Sequence, residues 1–504
     1  MKINMVTKMT ERARSRLQGL FQLQQNQEAY GELLLQGRKT VLSLSSQSQG
    51  VPLEMAPHLY GTTLDRQKVT CIDCVITSQI STQKQKEVPH QSITVFPHFV
   101  TVGDEHVDLE LPIVTSIHFA IDDLSLLFND FDAFGLVVNA KPLIDSVLAK
   151  RRLLRPVVTG EFPLIAYFSG RLSIIEVETD IGKLSVNHQP SHNMGGANGI
   201  FIKNRMRVNL EPDSPVSFGE AVDRMMIVTR FLSLIAGCRQ GLHDIQLRTS
   251  SSEDQFLHSI SVYWSYAPKG QRAKVNDLKP CPTDVPLNPI HRQEEFAYVL
   301  KNWIGRETNW RLSRVRYVNC LSKGNSYNTD RLIAAANMFD LLPRDAVPLP
   351  TVLPEALAEA QEECLKILMQ CPKCLDRDSA ISALKRMGKP SLPKKILFRT
   401  AIVEKHFGNT YNQLSYVVKI AVRCRNYFVH GPSDDFNFRV VEPLMSFLTD
   451  SLEFVFAASD LIESGWDAAQ WNRELHGTGH TFARFRFIYD IELEKLKLAM
   501  ETTI

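Results

Sequence analysis

The chain has 504 residues, of which 44% are hydrophobic and 22% charged, and its formal net charge at pH 7 is +2. This composition is typical of a globular protein of two or three domains and excludes a disordered chain. Because positive and negative charges nearly balance, any surface for nucleic acid has to be local.

Cysteine content and hydropathy predict the cellular compartment. Nine cysteines, an odd number in a long chain, argue against a disulfide framework and favour a reducing compartment. The first twenty residues are charged throughout and lack the apolar centre of a signal peptide. The longest apolar run, residues 225–237, is short and contains Arg230, so it predicts a core helix and no membrane span. We therefore expect a cytoplasmic protein.

The composition of the first half of the chain is typical of β-structure. Residues 1–28 are polar and predict a helix or an arm. Residues 29–270 contain short segments rich in Val, Ile, Thr and aromatic residues, which predict a β-rich domain with the form of a sandwich or a distorted barrel. Residues 78–91 are predicted to be a solvated loop between two strands. Ser217 and Glu220 have the spacing of a capping box, which predicts a helix packed on the sheet.

The second half of the chain is predicted to be helical. Residues 271–322 combine a Pro-rich, polar linker with two bridging helices. Residues 323–504 predict an all-α bundle, so the fold class is α+β. The predicted helices are residues 294–304, 309–321, 327–342, two that flank Cys371 and Cys374, 411–430, 440–462, a short one near Trp466, and 482–500.

Residues 411–432 are the most informative segment. Apolar side chains recur there at steps of three and four, which predicts an amphipathic helix with one buried face. Gly431 and Pro432 predict where it ends. Just before that end stand Arg425, Asn426 and His430, a cation, an amide and an imidazole on a rigid element. The apolar positions are Leu414, Val417, Val418, Ala421, Cys424 and Phe428.

Helical geometry limits how these polar groups meet. Asn426 and His430 are i,i+4 neighbours on one face, whereas Arg425 lies about 140° around the helix from His430. One helix alone is therefore not expected to bring Arg425 onto His430. Either the last turn opens near Val429, or a second copy of the helix completes the site across a two-fold axis.

The spacing of Arg and His alone carries little information. Arg399 and His406, and likewise Arg473 and His480, stand at a similar separation elsewhere in the chain. A plainer interpretation of residues 411–432 is a core helix that ends in surface cations, which the helix dipole favours at a carboxyl end.

The segment RNYFVHG, residues 425–431, resembles the motif of HEPN-domain ribonucleases, and RLIAAANMFDLLP, from Arg331, resembles the partner helix of that motif. YGELLLQGRKTVLSL from Tyr30 and HLYGTTLDRQKVTCIDC from His58 are similar to the start of ApeA-like abortive phage-infection proteins. The resemblance implies a C-terminal HEPN helical bundle in residues 323–504 and a sensing or regulatory domain in residues 29–270.

The same resemblance implies an activity. Such proteins are metal-independent endoribonucleases that need no cofactor, act as homodimers or larger oligomers, and commonly cut tRNA at the anticodon loop. It assigns catalysis to Arg425 and His430 with Asn426 in support, and it implies a phage protein trigger that binds the N-terminal domain. Arg423 and Tyr427 are candidate RNA contacts, and packing roles explain them equally well. The alternative is a non-catalytic binding protein that dimerises through its helices and binds a partner through its β-domain.

Two further features admit a functional interpretation. Cys371 and Cys374, like Cys71 and Cys74, have the C-x2-C spacing of a zinc knuckle, and Cys364 lies near the first pair. A structural zinc site needs four ligands, so the two pairs would have to meet across domains; the alternative is that they are small buried hydrophobes. Cys71 and Cys74 are predicted to face opposite sides of a strand. The basic residues 385–399 are a candidate surface for the RNA backbone or simply an exposed loop.

Overall fold

The computed structural model describes residues 15–23, 28–46, 57–82, 90–193, 195, 197, 199–250, 257–270, 280, 282–431 and 436–501. The strands are β1 Ser15–Gln22, β2 Glu28–Leu35, β3 Val41–Ser46, β4 Leu59–Thr63, β5 Lys68–Thr82, β6 His90–Gly103, β7 Val114–Ile121, β8 Phe134–Val138, β9 Leu164–Phe168, β10 Ser173–Thr179, β11 Gly182–His188, β12 Ser191–His192, β13 Ile202–Lys203, β14 Met206–Glu211, β15 Leu242–Ser250 and β16 Leu257–Trp264.

The helices are α1 Leu124–Leu127, α2 Lys141–Arg152, α3 Phe218–Ala236, α4 Gln293–Gly305, α5 Glu307–Leu321, α6 Thr329–Asn337, α7 Glu355–Gln370, α8 Leu375–Leu384, α9 Leu392–Phe407, α10 Leu414–His430, α11 Phe438–Val441, α12 Met445–Glu463, α13 Ala468–Arg473 and α14 Thr481–Glu501. Strands therefore fill the first half of the chain and helices the second, as the α+β prediction required.

The first six strands close into an antiparallel barrel. β1 pairs with β2 and β4, β3 pairs with β2 and β6, and β5 pairs with both β4 and β6. Closure gives each of these strands two neighbours, which removes the exposed edges that an open sheet would leave. Alternate side chains of β2 are buried, as expected for a strand with one face toward an interior.

The ring of Phe21 fills part of the barrel interior and explains two glycines. A Cβ atom at Gly31 would lie 2.4 Å from one edge of that ring, and one at Gly61 would lie 2.5 Å from the other edge. Both separations are shorter than van der Waals contact, so only glycine fits at these positions while the ring keeps its place.

A second group of strands continues from the barrel. β6 pairs with β3 near its start and with β16 near its end, and the order from there is β16, β15, β7, β14, β11, β10. Helix α3 packs on this sheet through an edge-to-face contact between Phe218 and Phe99. The predicted capping box is confirmed, because Ser217 and Glu220 each bond the other's backbone N–H.

Helices α4 and α5 connect the β-rich half to the helical half through buried charges. Asp460 on α12 accepts hydrogen bonds from Arg314 Nε and Nη2 on α5 at 2.9 and 3.0 Å, and from Trp303 Nε1 on α4 at 2.9 Å. Arg314 also bonds Glu307 at 2.9 Å, and Glu307 in turn pairs with Arg230 on α3. All four charged side chains are buried, so this network joins one element of the sheet domain to the centre of the helical bundle.

Two predictions about the first half are wrong in part. Residues 15–22 belong to the barrel as β1, because their alternating side chains can face an interior, while residues 1–14 lie outside the described residues. The predicted loop 78–91 is shorter, since β5 extends to Thr82 and β6 begins at His90, where the two strands pair with each other.

Cys71 and Cys74 do not face opposite sides of their strand. Both pack against the barrel core, because Asp73 between them adopts a left-handed φ of 52° and breaks the alternation of side chains.

Within the described residues, the helices lack the combination of length and apolar character that crossing a membrane requires.

We expect Asp460→Ala to lower the free energy of unfolding by about 3–5 kcal/mol, because it removes one of the two carboxylates that pair with the buried Arg314 and leaves Glu307 to balance both Arg314 and Arg230. Urea denaturation followed by circular dichroism measures this change. Asp223→Ala is the matched control: Asp223 on α3 pairs with Arg311 on α5 at 2.7 Å, but both side chains are about half exposed. The loss there should not exceed about 1 kcal/mol. Equal losses in the two variants would contradict the role given to the buried network.

Candidate active site

The helix that carries the site is α10. The predicted apolar stripe is buried from Leu414 to Cys424, and Phe428 at its end packs on Phe438 with ring centroids 4.6 Å apart. The helix starts at Leu414, after a 3₁₀ turn that ends at Tyr411. It remains helical to His430 and ends where Gly431 adopts a φ of 95° and its N–H bonds the carbonyl oxygen of Tyr427 at 3.1 Å. The stop predicted at Gly431 is thus confirmed; Pro432 lies outside the described residues.

The polar groups at the end of α10 meet within one chain. Nη1 of Arg425 lies 3.2 Å from Nε2 of His430 and donates to Oδ1 of Asn426 at 3.1 Å. The expectation that one helix cannot join Arg425 and His430 is therefore wrong. Their Cα atoms are about 9 Å apart on an ideal helix, and the His430 side chain leans back toward the amino end, where the long Arg425 side chain reaches it. Neither an opened turn nor a second copy is needed for this contact.

A residue that the sequence reasoning did not select holds Arg425 in place. Oδ1 of Asn337, the last residue of α6, accepts hydrogen bonds from Nε and Nη2 of Arg425 at 3.3 and 3.0 Å. The expected partner helix does pack on the motif helix, and it supplies this amide. The sequence feature that could have identified Asn337 is its place directly after three alanines, where it is a polar group at the end of an otherwise small and apolar helix face.

In the part of the chain that the structure describes, the charge of Arg425 is uncompensated. Its partners are two neutral amides and an imidazole, and among the described residues no carboxylate pairs with it. Arg425 is half-buried and His430 is exposed, so the pair is ordered by contacts yet open to solvent. Such an arrangement offers a bidentate donor to an anion beside a group that can transfer a proton.

The two further candidates on α10 contact the segment that follows it. The guanidinium of Arg423 lies 4.8 Å from the ring centroid of Phe436, and the ring of Tyr427 stacks on Phe438 at 5.5 Å. Both side chains are partly exposed, so packing contacts account for part of each surface only.

Helix α6, which presents Asn337, and the segment just before it are fixed to α12 by two polar contacts. Nε and Nη2 of Arg331 bond the two carboxylate oxygens of Glu453 at 2.8 and 2.9 Å. The hydroxyl of Tyr327 donates to Asp450 at 2.9 Å. Because Arg331 and Glu453 are buried, this pairing sets the position of α6 and therefore of Asn337.

Residues 385–399 do not form the continuous basic surface that was one interpretation. Arg399 is fully buried in α9 and pairs with Glu463 at 2.7 Å, and Lys395 pairs with Asp340 at 3.1 Å. A helix that packs into the bundle turns some of its cations inward, which composition alone does not reveal.

The two cysteine pairs do not share a site. Cys71 is buried in the barrel, whereas Cys364, Cys371 and Cys374 are exposed on α7 and the turn after it. In the part of the chain that the structure describes, no group of three or more His, Cys, Asp or Glu side chains is arranged to hold a metal ion.

Stability should depend on pH through Asp450. Burial, aided by the charge of Glu453, raises the pKa of Asp450 from 3.8 to about 7. The folded protein therefore keeps a proton that the unfolded chain loses, and stability falls as pH rises from about 4 to about 7. We expect wild type to lose stability across this range relative to Asp450→Asn and to run parallel to it above pH 8, measured by urea denaturation in a pH series. A constant difference between the two proteins would contradict the raised pKa.

Comparisons with known proteins agree with this architecture. The model of the ApeA N-terminal domain 1 matches residues 16–303, more than half of the chain, and the model of the Apea-like HEPN domain matches residues 333–470, which include α6, α10 and α12. No curated protein and no solved structure matches significantly. HEPN domains are generally ribonucleases that dimerise and bind RNA. With the two domains in this order, the chain belongs to the ApeA family of abortive-infection proteins.

Proposed function

We propose that this protein is an anti-phage endoribonuclease that cleaves RNA without a metal ion, with Arg425 and His430 as catalytic residues and Asn426 in support. The observation that supports this most directly is the contact of 3.2 Å between Nη1 of Arg425 and Nε2 of His430, beside the Asn337 amide that fixes the guanidinium. Family membership supports the class of activity, and this geometry supports the choice of residues.

The chemistry requires only groups present in the protein and the RNA. The 2′-hydroxyl of the RNA attacks the adjacent phosphorus, its proton passes to an imidazole, and the bond to the 5′-oxygen breaks. That oxygen leaves with a proton from a second acid, which yields a 2′,3′-cyclic phosphate and a free 5′-hydroxyl. Arg425 stabilises the negative charge that develops on the phosphoryl oxygens.

The contact between Arg425 and His430 also defines a resting state. A guanidinium carries donors only, so Nε2 of His430 is the acceptor in this contact. When Arg425 turns to a bound phosphate, Nε2 becomes free to accept the proton of the 2′-hydroxyl. Substrate binding thus separates the two side chains, so that Arg425 binds the phosphate and His430 acts as the base.

Base and acid together call for two imidazoles. Only His430 lies beside Arg425 among the described residues, so we propose that a second chain contributes its own His430 across a two-fold axis, in a dimer or a tetramer. An exposed pair of this kind suits single-stranded RNA, whose backbone is accessible, and the anticodon loop of tRNA is the proposed target. Arg423 and Tyr427, at the same end of α10, are proposed RNA contacts.

The N-terminal half is proposed to sense a phage protein. Residues 131–172, which include β8, α2 and β9, carry six Lys and Arg against three Asp and Glu, a net charge of +3 that exceeds that of the whole chain. The same segment also exposes many apolar side chains. Exposed apolar surface is typical of protein interaction sites, and the net positive charge favours an acidic partner. The exposed apolar residues are Phe131, Leu136, Val138, Leu143, Val147, Leu153, Leu154, Val158, Phe162, Leu164, Tyr167 and Leu172.

The first test removes the imidazole. We expect His430→Ala to lower the rate of RNA cleavage at least about 100-fold without added metal ion, because general acid–base catalysis contributes that much or more. Gel analysis of tRNA and of loop oligonucleotides measures the rate, and circular dichroism checks the fold. His406→Ala is the matched control, since His406 is an exposed imidazole on α9 of the same domain. Undiminished cleavage by His430→Ala would favour the non-catalytic alternative.

The second test addresses Asn337 as a positioning residue. Asn337→Ala removes two hydrogen bonds from Arg425, so kcat should fall about 10- to 100-fold while KM changes little, because misplacement of a transition-state contact acts mainly on the chemical step. Steady-state kinetics on an RNA oligonucleotide measures both constants, and thermal denaturation serves as the check on folding. A fall in stability that matches the fall in kcat would contradict a positioning role.

A further inference from the structure

Helices α7 and α8 form a hairpin whose side chains avoid the core of the bundle. Neither helix has a buried residue, although all the neighbouring long helices of the domain do. The turn at the tip is Cys371-Pro372-Lys373-Cys374: Cys371 caps the end of α7 and Cys374 caps the start of α8. Both thiols are exposed. The hairpin therefore presents two thiols at its apex, three positions apart in the chain.

The apex is built by specific hydrogen bonds. Arg377 of α8 donates from Nε to the carbonyl oxygen of Leu368 at 2.7 Å and from Nη2 to that of Met369 at 3.1 Å, which holds the end of α7 against α8. The backbone N–H of Arg377 donates to Sγ of Cys374 at 3.4 Å. This bond fixes the position of the sulfur atom at the start of α8.

Two thiols do not complete a zinc site, and the other residues that the structure describes do not supply the missing ligands. Structural zinc is held by four ligands in a tetrahedron with Zn–S distances of about 2.3 Å. Cys364 lies two helical turns before Cys371, about 10 Å along α7, too far to share the ion. Cys71 is enclosed in the barrel, and within the described ranges no three His, Cys, Asp or Glu side chains are grouped to hold a metal ion.

We propose that Cys371 and Cys374 from two copies of this chain bind one Zn²⁺ ion between the tips of their hairpins. Four thiols lose four protons and form a tetrathiolate site, in which each chain contributes half of the ligands. The exposed apolar side chains near the apex fit this arrangement, because two tips that meet would cover them: Ile367 is 62% exposed, Met369 54% and Leu375 89%. The bridge is independent of the RNA site and adds a contact between subunits.

The experiment measures zinc and mass on the full-length protein. Purified with ZnCl₂ and freed of excess ion, wild type should contain one zinc per two chains by atomic emission. Cobalt substitution should give the intense sulfur-to-metal bands of a tetrahedral tetrathiolate. Cys371→Ser and Cys374→Ser should each lose the ion, and light scattering at low protein concentration should show assemblies of half the wild-type mass.

Cys364→Ser is the matched control, since it removes an exposed thiol from the same hairpin and should keep both the zinc and the mass. One zinc per chain, loss of zinc without a change of mass, or no zinc at all would overturn the shared site. A Cys371–Cys374 disulfide found by mass spectrometry in freshly purified protein would overturn it as well. Cys371→Ser keeps Arg425 and His430, so it should still cleave RNA while it loses zinc. This measurement separates the shared zinc site from the proposed ribonuclease function.

Discussion

Asp460 carries the constraint on which the arrangement of this protein depends. A carboxylate that is almost fully buried is tolerated only when its charge and its hydrogen-bonding capacity are satisfied, and here Arg314 and Trp303 do both. Glu307 extends the network to Arg230 on α3. A large shift of α3 away from the bundle would therefore leave a buried charge without its partner. The two halves are thus joined by polar contacts of fixed geometry as well as by apolar packing.

Helix α12 connects that junction to the candidate site. Asp460 near its carboxyl end meets α4 and α5, while Asp450 and Glu453, two to three turns earlier, hold α6. The last residue of α6 is Asn337, which orders Arg425. A short chain of contacts therefore runs from the sheet domain, through one helix, to the guanidinium. A displacement of α3 has a physical route to the candidate site, which is what the proposed regulation by the N-terminal domain requires.

The proposed assembly would use three different parts of the chain for three tasks. The end of α10 supplies Arg425 and His430 for chemistry, the apolar and basic residues 131–172 offer a surface for a partner, and the hairpin tip at Cys371 and Cys374 offers half of a metal site. His430, the apolar side chains of residues 131–172 and the two thiols are exposed, while α10 behind His430 buries its apolar stripe. Rigid support with an exposed functional group is the usual way a fold positions reactive side chains.

The sequence by itself determined the succession of β-rich and helical halves, the capped helix α3, the amphipathic stripe of α10 and the end of that helix at Gly431. These features follow from local periodicity and backbone preference, which neighbouring residues in the chain encode. Only the tertiary structure decided that β1 belongs to the barrel, that Arg399 is buried, and that Asn337 reaches Arg425. Strand partners, the inward turn of a cation and a bond across 88 positions of sequence depend on which distant segments pack together. The angle between Arg425 and His430 around the helix led to the wrong prediction that one helix cannot bring them together, because flexible side chains can reach across a distance that separates their backbone positions.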